Sequence, residues 1–387
     1  MEKLGDYIVI KTGREDANAA NSKGVYPFFT CAKETSRIDN WAFDCECVLV
    51  AGNCNPYVFY YNGKFNAYQR VYIIQSQNIS KLNVKYLYYF LKKFMTLVID
   101  KQRGAIEKFF CIDDFTGIKI SLPDISTQLR IADVLGSLDE KIELNRKKIA
   151  ELELLAKTIY DYWFVQFDFP DKNGKPYKSS GGKMVWNEKL KHEVPEGWEV
   201  GTILKVSELK VGGTPSKQVA SYWDGEIPFW GPTDYADGVF QFHTAETISE
   251  NGFNHCSSDM LSEDATIITA RGSIGKVVMA GVRMAMNQSC FAFKAHDDSS
   301  VFIYFLAKQL VAHLKATSTG SVFNAFVASD LKNVALPLGT VALRRAFADL
   351  SRPMFEKIKM DVMATNALIS LRDTLLPLLM NGQVVVK

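Results

Sequence analysis

The 387-residue chain has no strong excess of either charge: 45 Lys and Arg against 43 Asp and Glu leave a formal net charge of +2. A general basic field is therefore excluded, and any polyanion site has to be a local concentration of cations. Long hydrophobic runs are missing too. No apolar stretch approaches the ~18–20 residues of a membrane span, and the opening MEKLGDY carries no apolar signal-peptide core. These absences predict a cytoplasmic protein with no membrane partner. Histidine is scarce, five residues all after position 190, and the seven cysteines include no CxxC pair. That excludes a disulfide module and fits reduced thiols. Cys45 and Cys47 stand on one face of an expected strand, with Cys31 and Cys54 nearby. A four-cysteine metal site is the alternative there, and buried free thiols are the better reading. Lysine and arginine are absent from residues 218–270, where Asp224, Glu226, Asp234, Asp237, Glu246, Glu250, Asp259, Glu263 and Asp264 fall; Arg271, Lys276, Arg283 and Lys294 follow before the next acid, Asp297. Such a run is usually a solvated face, although the switch would also orient a domain on a polyanion.

What is present is ordinary globular material, long enough for two or three domains because single cores stop growing near ~250–300 residues. Residues 212–235, GGTPSKQVASYWDGEIPFWGPTDY, suggest a phosphate-binding glycine loop. Such a loop opens a helix; these glycines run into Thr214-Pro215-Ser216 and a Tyr-Trp pair, which reads as loop and short strand, with Trp223 and Trp230 in the core rather than stacking on a base. In RGSIGKV, Gly272 and Lys276 stand too close for a nucleotide-binding GxxxxGK[ST] loop and Val277 replaces the hydroxyl residue.

The chain is written twice. With Gly104 set on Gly320, RGAIEKFFCIDDFTGIKISLP lies without a gap on TGSVFNAFVASDLKNVALPLG, matching Phe110 to Phe326, Asp114 to Asp330 and Leu122 to Leu338. In the same register Glu140-Lys141-Ile142 falls on Glu356-Lys357-Ile358. Upstream, GVYPFF (24–29) echoes GEIPFW (225–230) and Gln69 echoes Gln288, at other offsets that require insertions. Two similar scaffolds carry two different surfaces, which suggests one task performed on two targets.

The repeated scaffold contains a long helix. Leu135, Leu138, Ile142, Asn145, Ile149, Leu152, Ala156, Ile159 and Trp163 step alternately by three and four, an a/d seam interrupted by one Asn. Ser126 and Thr127 are its expected caps. The second copy, from about Val341 to Met380, is rougher: seam positions fall on Asp361, Thr365 and Arg372, and Pro353 and Pro377 are expected to bend or terminate it. The two helices pair with each other in antiparallel fashion, or each packs separately on its own domain. A further helix is read in each half, in VKYLYYFLKKFMTLVID and VFIYFLAKQLVAHLKAT, amid strands split by glycine turns, with Asn62-Gly63 as a hairpin signal. Residues 167–200, rich in Gly, Pro, Lys and Ser, read as a connector.

VPEGWEV, GGTPSKQVASYWDGEIPFW, ARGSIGKVVMAG, MNQSCFAF, STGSVFNAFVASDLKNVALPLG and FDFPDKNGKPYKSSGGKMVWNE together resemble the specificity subunits of Type I restriction–modification enzymes, nearly end to end. The resemblance implies an α+β fold of two mainly-β target-recognition domains (1–123 and 201–338) and two long, antiparallel, coiled-coil-like helices (124–166 and 339–387), with a linker at 167–200 and an internal pseudo-twofold repeat. It implies a non-catalytic reader of double-stranded DNA, each domain binding half of a split, asymmetric target. The helices would set the spacing and dock two methyltransferase subunits, with restriction subunits completing the complex. No cofactor is expected on this chain; S-adenosylmethionine belongs to the methyltransferase partner, ATP and Mg to the restriction partner.

Two other readings remain beside it: a methyltransferase fused to a reader, and a β-domain protein that binds protein or glycan. For the first, Asn55-Pro56-Tyr57 lacks the second proline of an amino-methyltransferase motif, and no strand–GxG–helix unit accompanies it. Paired acids such as Asp113-Asp114 sit next to an expected strand start, where turn capping suffices.

DNA contacts follow from residue type: Arg and Lys reach phosphates or guanine, Asn and Gln bind adenine, and Gly-Ser turns bring backbone N–H groups to phosphate. The second half offers Thr214, Ser216, Lys217, Arg271, Ser273, Lys276, Asn287, Gln288 and Ser321; the first offers Lys11, Arg14, Asn53, Asn55, Lys64, Tyr68, Gln69, Arg70 and Arg103.

Overall fold

The computed structural model describes residues 2–52, 57–98, 110–236, 238–317 and 325–386. Two compact units form, residues 1–143 with 367–387, and residues 144–366.

The first unit contains β1 (Glu2–Lys3), β2 (Ile8–Thr12), β3 (Tyr26–Phe29), β4 (Ser36–Ile38), β5 (Phe43–Ala51), β6 (Val58–Ala67), β7 (Val71–Ser76), α1 (Val84–Val98), α2 (Ile112–Thr116), β8 (Lys119–Ile120) and the start of α3 (Ile125–Tyr160). Its six-stranded sheet runs β2-β7-β5-β6-β3-β4. β5 reads FDCECVLVA because both of its faces are covered. Val48 and Val50 pack toward Tyr86, Leu87 and Leu91 of α1, whereas Cys47 and Leu49 join Phe29, Phe65 and Ile73 in a second cluster. Cys31 and Cys45 border that second cluster, and burial pushes the Cys47 thiol far up. Asn62-Gly63 is not a hairpin turn. Both residues lie inside β6, opposite Glu46 and Cys45, with Gly63 at φ +133; the aromatic strand around them overrides the local turn signal.

The second unit contains the hairpin β9 (Met184–Asn187) and β10 (His192–Pro195), then β11 (Glu199–Gly201), β12 (Ser207–Val211), β13 (Trp223–Trp230), β14 (Phe240–Gln241), β15 (Glu246–Ile248), α4 (Glu250–Asn254), β16 (Thr266–Thr269), β17 (Val277–Ala280), β18 (Ala285–Met286), β19 (Cys290–Ala295), α5 (Ser300–Thr317), α6 (Ala328–Asn333), β20 (Leu336–Gly339) and the start of α7 (Val341–Met380). A five-stranded sheet, β12-β19-β16-β17-β14, and a three-stranded one, β15-β13-β18, carry it. α5 is buried along Val301–Ala307 and again at Leu310 and Val311, the pattern of a central core helix.

The repeat survives as hydrogen bonds. Asp114 accepts the Cys111 N–H at 2.7 Å and opens α2; Asp330 accepts the Val327 N–H at 2.8 Å and opens α6. The Asp113-Asp114 pair therefore starts a helix rather than a strand. Gln128, fully buried, donates to the Pro123 carbonyl at 2.9 Å, and Arg344, aligned with it, donates to the Gly339 carbonyl at 3.2 Å. Each long helix is thus pinned to the segment that immediately precedes it.

α3 spans 36 residues and α7 spans 40, or about 54 and 60 Å at 1.5 Å per residue. Asp124, not Ser126 or Thr127, caps α3: it accepts the Thr127 N–H at 3.0 Å and hydroxyl at 2.7 Å, as a carboxylate does for the third helical residue. α7 is continuous through Pro353 and Pro377, so neither proline terminates it. In the first unit Arg372 of α7 meets Asp139 of α3 at 2.8 Å; in the second, Asp361 meets Lys148 at 3.8 Å and also Lys357. α7 contains an 18-residue window of mean hydropathy 1.2, only 17% buried, so a stretch of span-like hydropathy exists where the sequence reading expected none. α7 also carries adjacent Arg372 and Asp373 among its leucines, and each would cost about 2.5–3.5 kcal/mol at the centre of a bilayer.

Candidate nucleic-acid interface

In the first unit, β2 runs into Gly13, which is pressed against the turn between β6 and β7. A Cβ on Gly13 would stand 2.2 Å from the Tyr68 carbonyl oxygen and 2.3 Å from that of Ala67. The Gly13 N–H donates to Val71 O at 3.0 Å, the Arg14 N–H to Ala67 O at 3.1 Å, and the Gln69 N–H to Glu15 O at 3.0 Å. β3 joins from the other side, its Phe29 carbonyl accepting the Tyr68 N–H at 2.9 Å. This main-chain clasp leaves Arg14, Gln69 and Arg70 exposed and Tyr68 half-buried. Lys11 is exposed two residues before the clasp on β2. Lys64 lies further along β6, its ammonium 4.7 Å from the centre of the exposed Trp41 ring. Asn53, Asn55 and Arg103 lie outside the described residues.

The second unit repeats the clasp with other side chains. A Cβ on Gly212 would stand 1.8 Å from the Asn287 carbonyl oxygen, the Gly213 N–H donates to Met286 O at 3.0 Å, and the Asn287 N–H donates to Trp230 O at 2.9 Å. The Thr214 hydroxyl donates across to the Gln288 side chain. Gln69 and Gln288 thus occupy equivalent places, one residue past the clasped Tyr68 and Asn287, as their sequence echo suggested. The GVYPFF and GEIPFW echo is structural as well: Phe29 pairs in parallel with Ala67, and Trp230 with Met286.

Around this clasp the second unit gathers most of the expected residues. Trp230 is fully buried, while Trp223 donates its indole N–H to Ser216 O at 3.1 Å and so fixes the loop carrying Thr214 and Ser216. Lys217 lies over the Trp223 ring and pairs with Glu246 at 2.9 Å. The loop 270–276 is tied in by the Ala270 N–H, which donates to Ser289 O at 2.8 Å, and by a bridge from Arg271 to Ala325. It turns through Gly272 and Gly275, both at φ +74, a conformation glycine adopts without strain. This leaves Arg271, Ser273 and Lys276 exposed. RGSIGKV therefore joins two strands and opens no helix. Ser321 lies outside the described residues.

Four acids of the run are engaged within the unit. Asp234 accepts the N–H groups of Gly231 and Ala245, both at 2.8 Å, Asp259 accepts that of Val211 at 2.8 Å, and Glu263 and Asp264 hold Lys359 of α7 at 2.9 and 3.2 Å. Sequence reasoning passed over Lys315 and Tyr235 beside this loop. Lys308 and Lys315, seven apart and so on one face of α5, were the available signal within a mostly apolar helix.

A sequence profile of the Type I restriction modification DNA specificity domain matches residues 1–154 and 195–339. The Type I restriction enzyme EcoDI specificity subunit of Escherichia coli is 38% identical over 155 residues, 40% of this chain and 34% of that protein's length. The HindI specificity subunit of Haemophilus influenzae is 22% identical over 343 residues, covering 76% of this chain and 74% of its own. A crystal structure of a Type I restriction–modification S subunit from M. genitalium superposes with a TM-score of 0.63 at 17% identity, covering 98% of this chain and 95% of that one, which speaks for a shared fold.

Proposed function

We propose, for a chain that belongs to the Type I restriction–modification DNA specificity family, that it is the non-catalytic reader of double-stranded DNA in a complex whose methyl transfer and cleavage reside on partner subunits. Its two recognition domains, residues 1–123 and 201–338, each read one half of a bipartite, asymmetric target. α3 and α7 pair antiparallel, set the distance between half-sites and dock two methyltransferase subunits; the Asp139–Arg372 and Lys148–Asp361 contacts support that direction of pairing. S-adenosylmethionine acts on the methyltransferase subunits and ATP with Mg on the restriction subunits, all in the cytoplasm.

The observation that carries this reading is the repeated clasp with unlike contents. One backbone geometry presents Tyr68-Gln69-Arg70 in the first unit and Asn287-Gln288-Ser289 in the second. Equal geometry positions equivalent residues, and unequal side chains specify unequal bases, since phosphate contacts position and base contacts specify. Gln69 and Gln288 are the proposed base-reading residues common to both units, and their unlike neighbours, Tyr68 and Arg70 against Asn287 and Ser289, supply the difference in preference; Arg14 and Arg271 flank them as phosphate or guanine contacts, Ser273 and Lys276 as phosphate contacts. The test is sequencing of methylated sites in cells that carry the chain with its methyltransferase subunit. Gln69→Ala is expected to relax one half-site and Gln288→Ala the other, with the spacing constant. Relaxation of both half-sites by either variant would overturn the assignment.

A further inference from the structure

The clasp of the second unit continues into a basic cleft of about 380 Å³ between the loop 270–276 and α5. Two stretches of chain connect them. Gly272 lies 3.8 Å from Pro232, next to the Gly231 that abuts Asn287, and the segment 231–235 ends in Tyr235, which lines the cleft. Among the described residues its wall is lined by Lys276, Lys308 and Lys315 and by the carboxylate of Glu153. That carboxylate is engaged by Lys308 and by the Tyr304 hydroxyl at 2.8 Å. The Lys276 ammonium sits 4.4 Å from the centre of the Tyr235 ring, which holds it by a cation–π contact and requires no carboxylate. Lys315 lies along the loop at Gly275: a Cβ there would stand 2.5 Å from its Cε and 2.8 Å from its Nζ. Gly275 therefore serves two ends, taking φ +74 and leaving room for a cation against the main chain.

We propose that Lys276 and Lys315 form a phosphate clamp that grips the DNA backbone next to the half-site read at Gln288 and contributes no base preference. This rests on the functional reading above and adds to it a strand-holding site on α5. The chemistry favours phosphodiester over base edges: ammonium groups are point charges without the planar fork that reads guanine. A solvated cleft wall that carries three lysines suits the charge that a DNA strand carries along its edge.

The experiment uses the full chain assembled with its methyltransferase subunits and two fluorescent duplexes, one carrying the methylated target and one scrambled. Affinity is measured across a range of salt. Loss of one phosphate contact lowers the slope of log affinity against log salt by about 0.9; Lys276→Gln and Lys315→Gln are each expected to lower it by about that much, and the double variant by about 1.8. Target and scrambled duplex should weaken by the same factor, and the methylated sequence should stay unchanged. Gly275→Ala, which displaces Lys315, should reproduce the Lys315→Gln slope, and thermal melting of both lysine variants should match the parent. An unchanged slope in the double variant, or an altered half-site, overturns the clamp. Should the parent complex bind neither duplex in a salt-dependent way, the reading of the chain as a DNA reader fails first.

Discussion

Gly212→Ala puts the clasp of the second unit to its most direct test. The added Cβ would stand 1.8 Å from the Asn287 carbonyl oxygen, 2.5 Å from its carbon and 2.9 Å from the Met286 oxygen. All three are main-chain atoms, so no side chain can rotate aside, and the end of β12 has to retreat from the turn by about 1.5 Å before ordinary packing resumes. That movement breaks the Gly213 N–H bond to Met286, worth about 0.5–1.5 kcal/mol, and adds overpacking strain of about 1–3 kcal/mol. A sum near 3 kcal/mol corresponds to a melting point about 6–12 °C lower for a unit of this size. The retreat also carries Thr214 away from Gln288, and loss of one base contact weakens binding about 5- to 150-fold. Differential scanning fluorimetry and duplex titration of the assembled complex read the two effects. Gly136→Ala in α3 is the control: its Cβ would come no nearer than 3.9 Å to the Tyr89 hydroxyl, and alanine should stabilise the helix by up to about 1 kcal/mol. If Gly212→Ala melts and binds like the parent, the clasp does not hold the reading loop.

Two further outcomes follow from buried or bonded polar groups. Arg344→Met should cost about 2–3 kcal/mol in denaturant unfolding, because the buried guanidinium donates to the Leu338 and Gly339 carbonyls; Arg344→Gln, copying Gln128, should recover at least half, and equal losses in both variants would refute the equivalence. In the linker, the Asp168 carboxylate accepts the hydroxyl and N–H of Ser179 at 2.6 and 2.7 Å, which holds its carboxyl below the usual range. A depressed folded pKa gives stability that is present above the unfolded value, about 3.9, and is lost as pH falls through the folded one. Asp168→Asn should therefore flatten acid unfolding below about pH 4, and an unchanged acid limb would contradict this.

The long helices and the repeat were legible because both are periodic. A heptad seam and a constant register need no knowledge of what lies across space, and Asp114 and Asp330 keep their register because each accepts an N–H that a helix start leaves bare. The echo of Gln69 in Gln288 was visible only faintly, since the clasp is made by main-chain atoms of segments far apart in the chain and asks of the sequence little more than a glycine. Asn62-Gly63 misled for the converse reason: its signal is local, whereas β6 is fixed by pairing with β5. Asp361 and Thr365 blurred the seam of α7 in the sequence, but both are buried. Lys148 and Lys357 flank the carboxylate, and the Thr365 hydroxyl donates to the Asp361 carbonyl at 2.6 Å. Lys315 escaped notice because two lysines seven apart on a mostly apolar helix mark a face, and what that face covers is known only once the loop is placed.

Since the clasp is built from main-chain hydrogen bonds and one glycine in each unit, the side chains that follow it carry little of the folding free energy. If these side chains read bases as proposed, substitutions at Gln69, Arg70, Gln288 or Ser289 drift almost freely as far as stability is concerned, and selection acts on them through what the molecule recognises. A scaffold of this kind acquires a new preference without passing through an unfolded ancestor, and each half does so independently of the other.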